Sequence, residues 1–433
     1  MHDAVYLLSE YLKIDTTNPP GNEAVGVQFF AAIFDREGIG YKIFESDEGR
    51  ASICARIKGT GKEKPLFLLN HIDVVLAEKE QWCFDPFGGE VKDGYIHGRG
   101  AIDMKGQGIM ELMAFLEVSR SNQVPSRDVV FLAVADEEAM GIKGVQYLFD
   151  NHPDELEAGL VLNEGGHGIS DLLPDRPVML ISTAEKASNW LHLSCQGPPG
   201  HGSVPHHQNA LERLISGLNR IQEMVRPVIM TDVTAEFFKK LAEYWDILSP
   251  YATDNKKETL LKCLTESGLA ATPQISAMLR NTVSLNVIQA GSKTNVIPSL
   301  AEAKLDIRLL PGQDSDAFLA QVTEQVADDE IKIEYITKDQ SFGSPIETND
   351  YRMIEAVLLR HFPTAVIAPW LMLGASDSRF FRERGVTAYG VFPAMFTKDE
   401  GKMIHGIDER ISEENMIQGS AVYIDIVKSL CEL

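Results

Sequence analysis

The sequence predicts an α/β protein of two domains, one inserted into the other, and three observations carry that prediction. The chain has 433 residues, more than one ordinary hydrophobic core accommodates. Up to about position 186 it alternates short apolar runs with amphipathic stretches, as a sheet layered with helices does. Beyond that the order becomes β-α-β-β-α-β, that of a small ferredoxin-like α+β unit, and from about position 337 the first texture returns. The expected division is 1–186 with 337–433 for one domain and 187–336 for the other.

In the first part, helices are expected over 4–12, 23–37, 108–119 and 144–150, and strands over 52–57, 65–70, 128–135 and 159–163. Residues 190–195, WLHLSC, alternate as a strand with one buried face does. The loop GPPGHGSVP follows, then a helix over 209–224. Residues 228–282 are charged and mostly helical in pattern, and interrupt the second domain as an insertion. Strands over 284–289 and 301–308, a helix over 314–326 and a strand over 332–336 complete that domain. A strand over 389–392 and a helix over 412–430 close the first one. There is no internal repeat.

Composition excludes several functions. A net charge of −23 argues against nucleic acid and against an anionic membrane, since both require a basic surface. No stretch approaches the roughly 18 apolar residues of a membrane span. The N-terminal stretch carries an acidic residue at position 3 and no long apolar core, so no signal peptide is expected there. Cys54, Cys83, Cys195, Cys263 and Cys431 are scattered, odd in number and without CxxC spacing; reduced thiols and a cytoplasmic location follow most simply.

The chemistry gathers where strands end. PLFLLN runs into His71, VVFLAVAD into Glu137 and Glu138, and GLVLN into Glu164. In open α/β sheets, ligands collect beyond the carboxyl ends of the strands. Asp103 lies in the Gly-flanked turn GRGAIDMKG before a helix, and His405 in the loop MIHGID before the last one. Alone, Asp103 would be a helix cap; three strands ending in His or Glu point instead to a site. Imidazole and carboxylate donors without thiolate suit catalytic zinc, or cobalt or manganese.

Nine segments, NHIDVV, GRGAIDMKG, DEEAMG, LNEGG, GHGS, NVIP, DIRLLPG, GASDS and MIHGIDERI, occur in an order that resembles the zinc-dependent aminoacylase, ArgE/DapE and carboxypeptidase family of metallopeptidases. The likeness is greatest to the branch of carboxypeptidase S and the N-acyl-amino-acid hydrolases. It implies a zinc-peptidase-like α/β/α catalytic domain with the ferredoxin-like domain as lid and dimerisation element. It also implies two zinc ions, with Asp103 between them, His71 and Glu164 completing one site, and Glu138 and His405 the other. A cis peptide after Asp103 is implied too.

Within that resemblance, Glu137 is the general base beside its metal-holding neighbour Glu138. Asp73, two residues beyond His71 on the same side of an extended chain, can accept the second N–H of His71 and fix its tautomer. His201 matches the family's oxyanion-stabilising histidine, contributed across a homodimer. Asn295 and Arg308 match lid residues that hold a substrate carboxylate, and Gly374, on the main domain, a backbone contact where a side chain would obstruct. The expected substrate is a small acylated amino acid or short peptide, cut at an amide next to a free carboxylate. Two alternatives stand beside this: a dipeptidase, and an inactive binding protein of the same fold.

Overall fold

Runs such as LFLLN and VVFLAV are apolar at every position because they form central strands with both faces covered. Strands Leu66–His71 and Val129–Val134 are buried throughout. Leu66, Leu68, Phe131 and Ala133 join one apolar cluster, while Phe67, Leu69, Leu132 and Val134 join another, as the two-residue period of a strand requires. The computed structural model describes residues 2–433 and separates into two units. One runs to Thr183 and resumes with Ser344–Trp370 and Ser376–Leu433; the other is Ala184–Gly343 with Leu371–Ala375.

The first unit is built on an eight-stranded sheet in the order Tyr41–Asp47, Arg50–Ile57, Val129–Val134, Leu66–His71, Leu160–Ile169, Thr387–Phe396, Val178–Glu185 and Val366–Met372. Leu66–His71 pairs in parallel with both Val129–Val134 and Leu160–Ile169, and the latter in parallel with Thr387–Phe396. Three strands therefore end at one edge. Helices Asp3–Leu12, Glu23–Glu37, Lys105–Arg120 and Glu413–Leu430 cover one face, with the rings of Phe30, Phe34 and Phe115 gathered on Phe131. The architecture is α/β/α.

Several elements differ from expectation. Strand 159–163 continues to Ile169, and strand 389–392 spans Thr387–Phe396. Strands Tyr41–Asp47, Val178–Glu185 and Val366–Met372 and helix Asn349–His361 were not anticipated. Tyr41–Asp47, YKIFESD, is an edge strand with one buried residue, so it shows no apolar run.

The second unit holds a four-stranded antiparallel sheet in the order Thr282–Ala290, Leu300–Leu309, Ala187–Gln196, Ile331–Lys338. Helices Ala210–Glu223 and Ser315–Val326 pack on the face that carries Leu191, Leu193, Leu305 and Ile307. That is the ferredoxin-like arrangement. Helices Asp232–Ala242, Ser249–Asp254, Lys257–Glu266 and Pro273–Leu279 form the insertion. Lys186 ties its end to the sheet, its Nζ donating to the carbonyls of Ala277 and Arg280 at 3.0 and 2.9 Å. All five cysteines are unpaired, and among the described residues no helix is long and apolar enough to cross a membrane.

Candidate metal centre

Parallel pairing brings His71, at the end of its strand, beside the turn that follows Val134 and beside Glu164 on the next strand. Asp103 meets them from the turn before helix Lys105–Arg120, and the peptide between Asp103 and Met104 is cis. Nε2 of His71 lies 3.1 Å from Oδ1 of Asp103 and 3.9 Å from Oε1 of Glu164. Nε2 of His405 lies 3.1 Å from the other oxygen of Asp103 and 3.3 Å from Oε2 of Glu138. One donor atom each from His71, Glu137 and Glu164 fall within 4.8 Å of one another, as do those of His71, Asp103 and Glu138. All five candidate ligands and Glu137 thus come together.

Asp73 departs from its expected contact. Nδ1 of His71 faces the backbone carbonyl of Asp73 at 2.9 Å, with the carboxylate 3.7 Å away. The Asp73 carboxylate instead accepts the backbone N–H groups of Glu137 and Glu138, each at 3.1 Å, and an amide N–H of Asn18 at 2.8 Å. The reason is reach. A carbonyl two residues on can take the ring N–H directly, which frees the side chain to hold the adjoining turn.

Sequence reasoning missed the residue that fixes the Asp103 turn. Glu409, fully buried, accepts the backbone N–H groups of Gly100, Ile102 and Asp103 at 3.0, 2.7 and 3.1 Å. Arg99 donates to Glu409 at 2.7 Å and to the carbonyl of Gly406 at 2.8 Å, lacing this turn to the loop of His405. The signal was present in MIHGIDERI, where an acidic residue follows His405 by four positions. Asp377, in GASDS, was also missed. It is buried, and neither oxygen has a hydrogen-bond partner among the described residues. Burial, with repulsion from Asp73 and Asp136, pushes its carboxyl up to about 7.

The donor set fits a cation. A carbonyl accepts only, so Nδ1 of His71 carries the proton and its Nε2 lone pair faces carboxylate oxygens. That contact needs a positive charge between its atoms, either a second proton on the ring, which the neighbouring carboxylates favour, or a bound cation. Oε1 of Glu138 is buried without a hydrogen-bond partner among the described residues. Burial raises the pKa of Glu137, Glu138 and Glu164, and repulsion from neighbouring carboxylates adds to it. Burial acts the same way on Asp103, yet hydrogen bonds from His405 and His71 hold its carboxyl well below the usual range. His405 is pushed up to about 10 by its contacts with Asp103 and Glu138. Four acidic groups and two imidazoles crowded at a buried edge are what divalent cations neutralise.

The other candidates lie in the second unit. His201 is exposed; its Nδ1 accepts the backbone N–H of Ser203 at 3.1 Å, which leaves Nε2 to carry the proton of the neutral ring. Asn295 is its neighbour, its carbonyl accepting the N–H of Gly202 at 2.8 Å. Arg308 is engaged by Asp306 at 2.7 and 3.2 Å. Gly374, expected on the main domain, falls in Leu371–Ala375 and groups with the second unit. A Cβ there would meet only Met372 Cε, at 3.5 Å, so the chain's own packing does not demand glycine.

The class that this fold and donor set define is a metal-dependent amide hydrolase. Comparison supplies the lineage: Peptidase family M20/M25/M40 matches residues 67–429, and the chain belongs to that family. The N-fatty-acyl-amino acid synthase/hydrolase of Xenopus tropicalis is 30% identical over 375 residues, 84% of this chain and 72% of that protein. Aminoacylase-1 of Sus scrofa is 27% identical over 100% of this chain and 96% of its own length. An M20 family metallo-carboxypeptidase from Sulfolobus solfataricus superposes with a TM-score of 0.77 at 18% identity, covering both chains entirely, and shares the fold. The alternative of an inactive binding protein falls.

Proposed function

We propose that the chain hydrolyses N-acyl-amino acids with two zinc ions held by His71, Asp103, Glu138, Glu164 and His405. One observation carries this reading: the two oxygens of Asp103 face different imidazoles, each at 3.1 Å, as a carboxylate shared by two cations must. His71 and Glu164 would complete one position, Glu138 and His405 the other. A pair of cations there supplies Lewis acidity toward the scissile carbonyl and lowers the pKa of water.

Glu137 has the remaining role. It takes the proton of the attacking water on its carboxylate and delivers it to the leaving nitrogen. Burial and the charge of Glu164 raise its pKa, which favours holding that proton between the two transfers. On the second unit, Arg308 offers a planar fork for the substrate carboxylate, which would exchange with its present partner Asp306. Asn295 adds a neutral donor, and the Nε2–H of His201 is a donor suited to the developing oxyanion in a homodimer partner. Gly374 would offer backbone to the substrate. A cytoplasmic setting is consistent with five unpaired cysteines.

The relatives named for acyl-amino acids favour an acylated substrate over a dipeptide with a free amino group. The test is a screen of zinc-reconstituted protein against acetyl, succinyl and fatty-acyl amino acids alongside dipeptides, with metal analysis. Two ions per chain and preference for acylated substrates are expected. One ion at saturation, or a dipeptide preference, overturns the proposal.

A further inference from the structure

The segment TTNPPGNE, residues 16–23, joins the first two helices and supplies no candidate metal ligand to the centre described above. The structure laces it to both turns that flank the centre. The Thr16 hydroxyl donates to the carbonyl of Ile72 at 2.7 Å, and the backbone N–H of Asn18 donates to the carbonyl of Val74 at 2.9 Å. Those contacts seat it along the stretch that follows His71. The Asn18 side chain then reaches across: its Nδ2 donates to Oδ2 of Asp73 at 2.8 Å and to Oδ1 of Asp136 at 3.2 Å.

Both acceptors control Glu137. Asp73 holds the backbone N–H groups of Glu137 and Glu138. Asp136 immediately precedes Glu137 and adopts the left-handed conformation, φ 72°, which turns the chain at the strand end. Its carboxylate accepts the N–H of Lys143 at 2.9 Å and is paired with Arg50 at 2.5 Å. Arg50 forks onto Glu23 at 2.7 and 2.8 Å, which closes the network back on the same segment. Gly21, at φ 84°, permits this, because a Cβ there would lie 2.3 Å from Nε of Arg50.

Three buried carboxylates, Glu23, Asp73 and Asp136, thus share one guanidinium and one amide. Arg50 reaches Glu23 and Asp136, and Asn18 supplies the N–H groups between Asp73 and Asp136. An amide with two N–H donors is the neutral group able to bridge two carboxylate acceptors at once. A hydrocarbon in its place leaves two buried anions facing each other with fewer donors.

We infer that Asn18 is a positioning residue: it locks Asp73 to Asp136 and thereby fixes the Glu137 carboxylate in its working place. The inference rests on the reading of Glu137 as the base. The imidazole of His71 takes its orientation from the Asp73 backbone carbonyl, so removing the Asn18 bridge disturbs the base more than that ligand.

The experiment is a cycle of N18A, E137Q and the double variant, each zinc-reconstituted. N18A is expected to keep two ions per chain at saturating zinc and KM within about twofold, while kcat falls about 10–100-fold, the usual cost of losing an outer partner. In the E137Q background N18A should cost almost nothing further, since residues that act as one unit are not additive. A kcat for N18A within about threefold of the parent overturns the inference, and so does a full second loss in the E137Q background, which marks a general packing role. E137Q with a near-normal rate would instead sink the base reading itself. Should N18A fail to fold, N18S, which retains one donor, is measured in the same cycle, with a smaller loss expected and the same additivity criterion.

Discussion

His71 and His201 are both histidines singled out by their motifs, one as a metal ligand and the other as an oxyanion donor, and the structure treats them differently. His71 is 2% exposed, with Nδ1 on the Asp73 carbonyl and Nε2 on Asp103. His201 sits on an exposed loop, and its hydrogen-bond partner is Ser203, two residues away. The same contrast separates Glu137 from Arg308. The backbone of Glu137 is anchored by a buried carboxylate, whereas Arg308 is paired with Asp306 two residues along its own strand. Where charges are to be neutralised, the chain is preorganised from behind. Where the motifs suggest substrate contacts, the side chains are held only by near neighbours in their own segment, and if they turn to a substrate part of the binding energy goes into that exchange.

Variants on each side sharpen this difference. The largest expected effect is E137Q, which should retain both metals and lose about 10²–10⁴-fold in kcat; metal analysis together with turnover checks it, and loss of an ion would make Glu137 a ligand instead. R308A comes next, at about 2–5 kcal/mol in kcat/KM for a substrate with a free carboxylate. For the same substrate as a carboxamide the loss should nearly vanish, and equal losses would make Arg308 structural. H201A should cost about 10²–10³-fold in kcat, and mixing it with E137Q chains should restore part of the activity if the histidine works across a dimer. No recovery despite proven subunit exchange counts against that.

The smallest effect on rate is expected from Glu111, which is held by Asn70, Gln107 and Tyr423 and pushed up to about 8 by burial. A carboxyl whose folded-state pKa lies above its unfolded value stabilises most below about 4.5 and loses that contribution as pH rises through about 8. E111Q should flatten the fall in melting temperature between pH 5 and 8.5 and leave kcat near that of the parent. An unchanged slope would show that Glu111 is not the titrating group.

The strands and the cluster at their ends were legible because central strands are apolar throughout, so a His or Glu closing such a run stands out. Strand Tyr41–Asp47 was not, because an exposed edge needs no such run. The work of Asn18 and Glu409 was hidden for another reason. Their partners lie 55 residues away for Asn18 and Asp73 and 306 for Glu409 and Asp103; MIHGIDERI shows the acidic residue, but nothing local shows which distant groups Glu409 or Asn18 holds. The pairing of Arg308 with Asp306 was readable and overlooked. Residues two apart share a face of a strand, and both stand in DIRLLPG.

The strand order has a consequence for synthesis. Thr387–Phe396 lies between Leu160–Ile169 and Val178–Glu185, so the middle of the sheet waits for a segment that leaves the ribosome more than two hundred residues after its neighbours. At about 5–20 residues per second that wait is roughly 10–40 s. Until then Leu160–Ile169 lacks its parallel partner on that side, and His405, later still, has not been made. An interrupted chain therefore ends with an open sheet and an incomplete set of metal donors, so that the cation which would stabilise the finished fold by binding it gives no such help to the fragment.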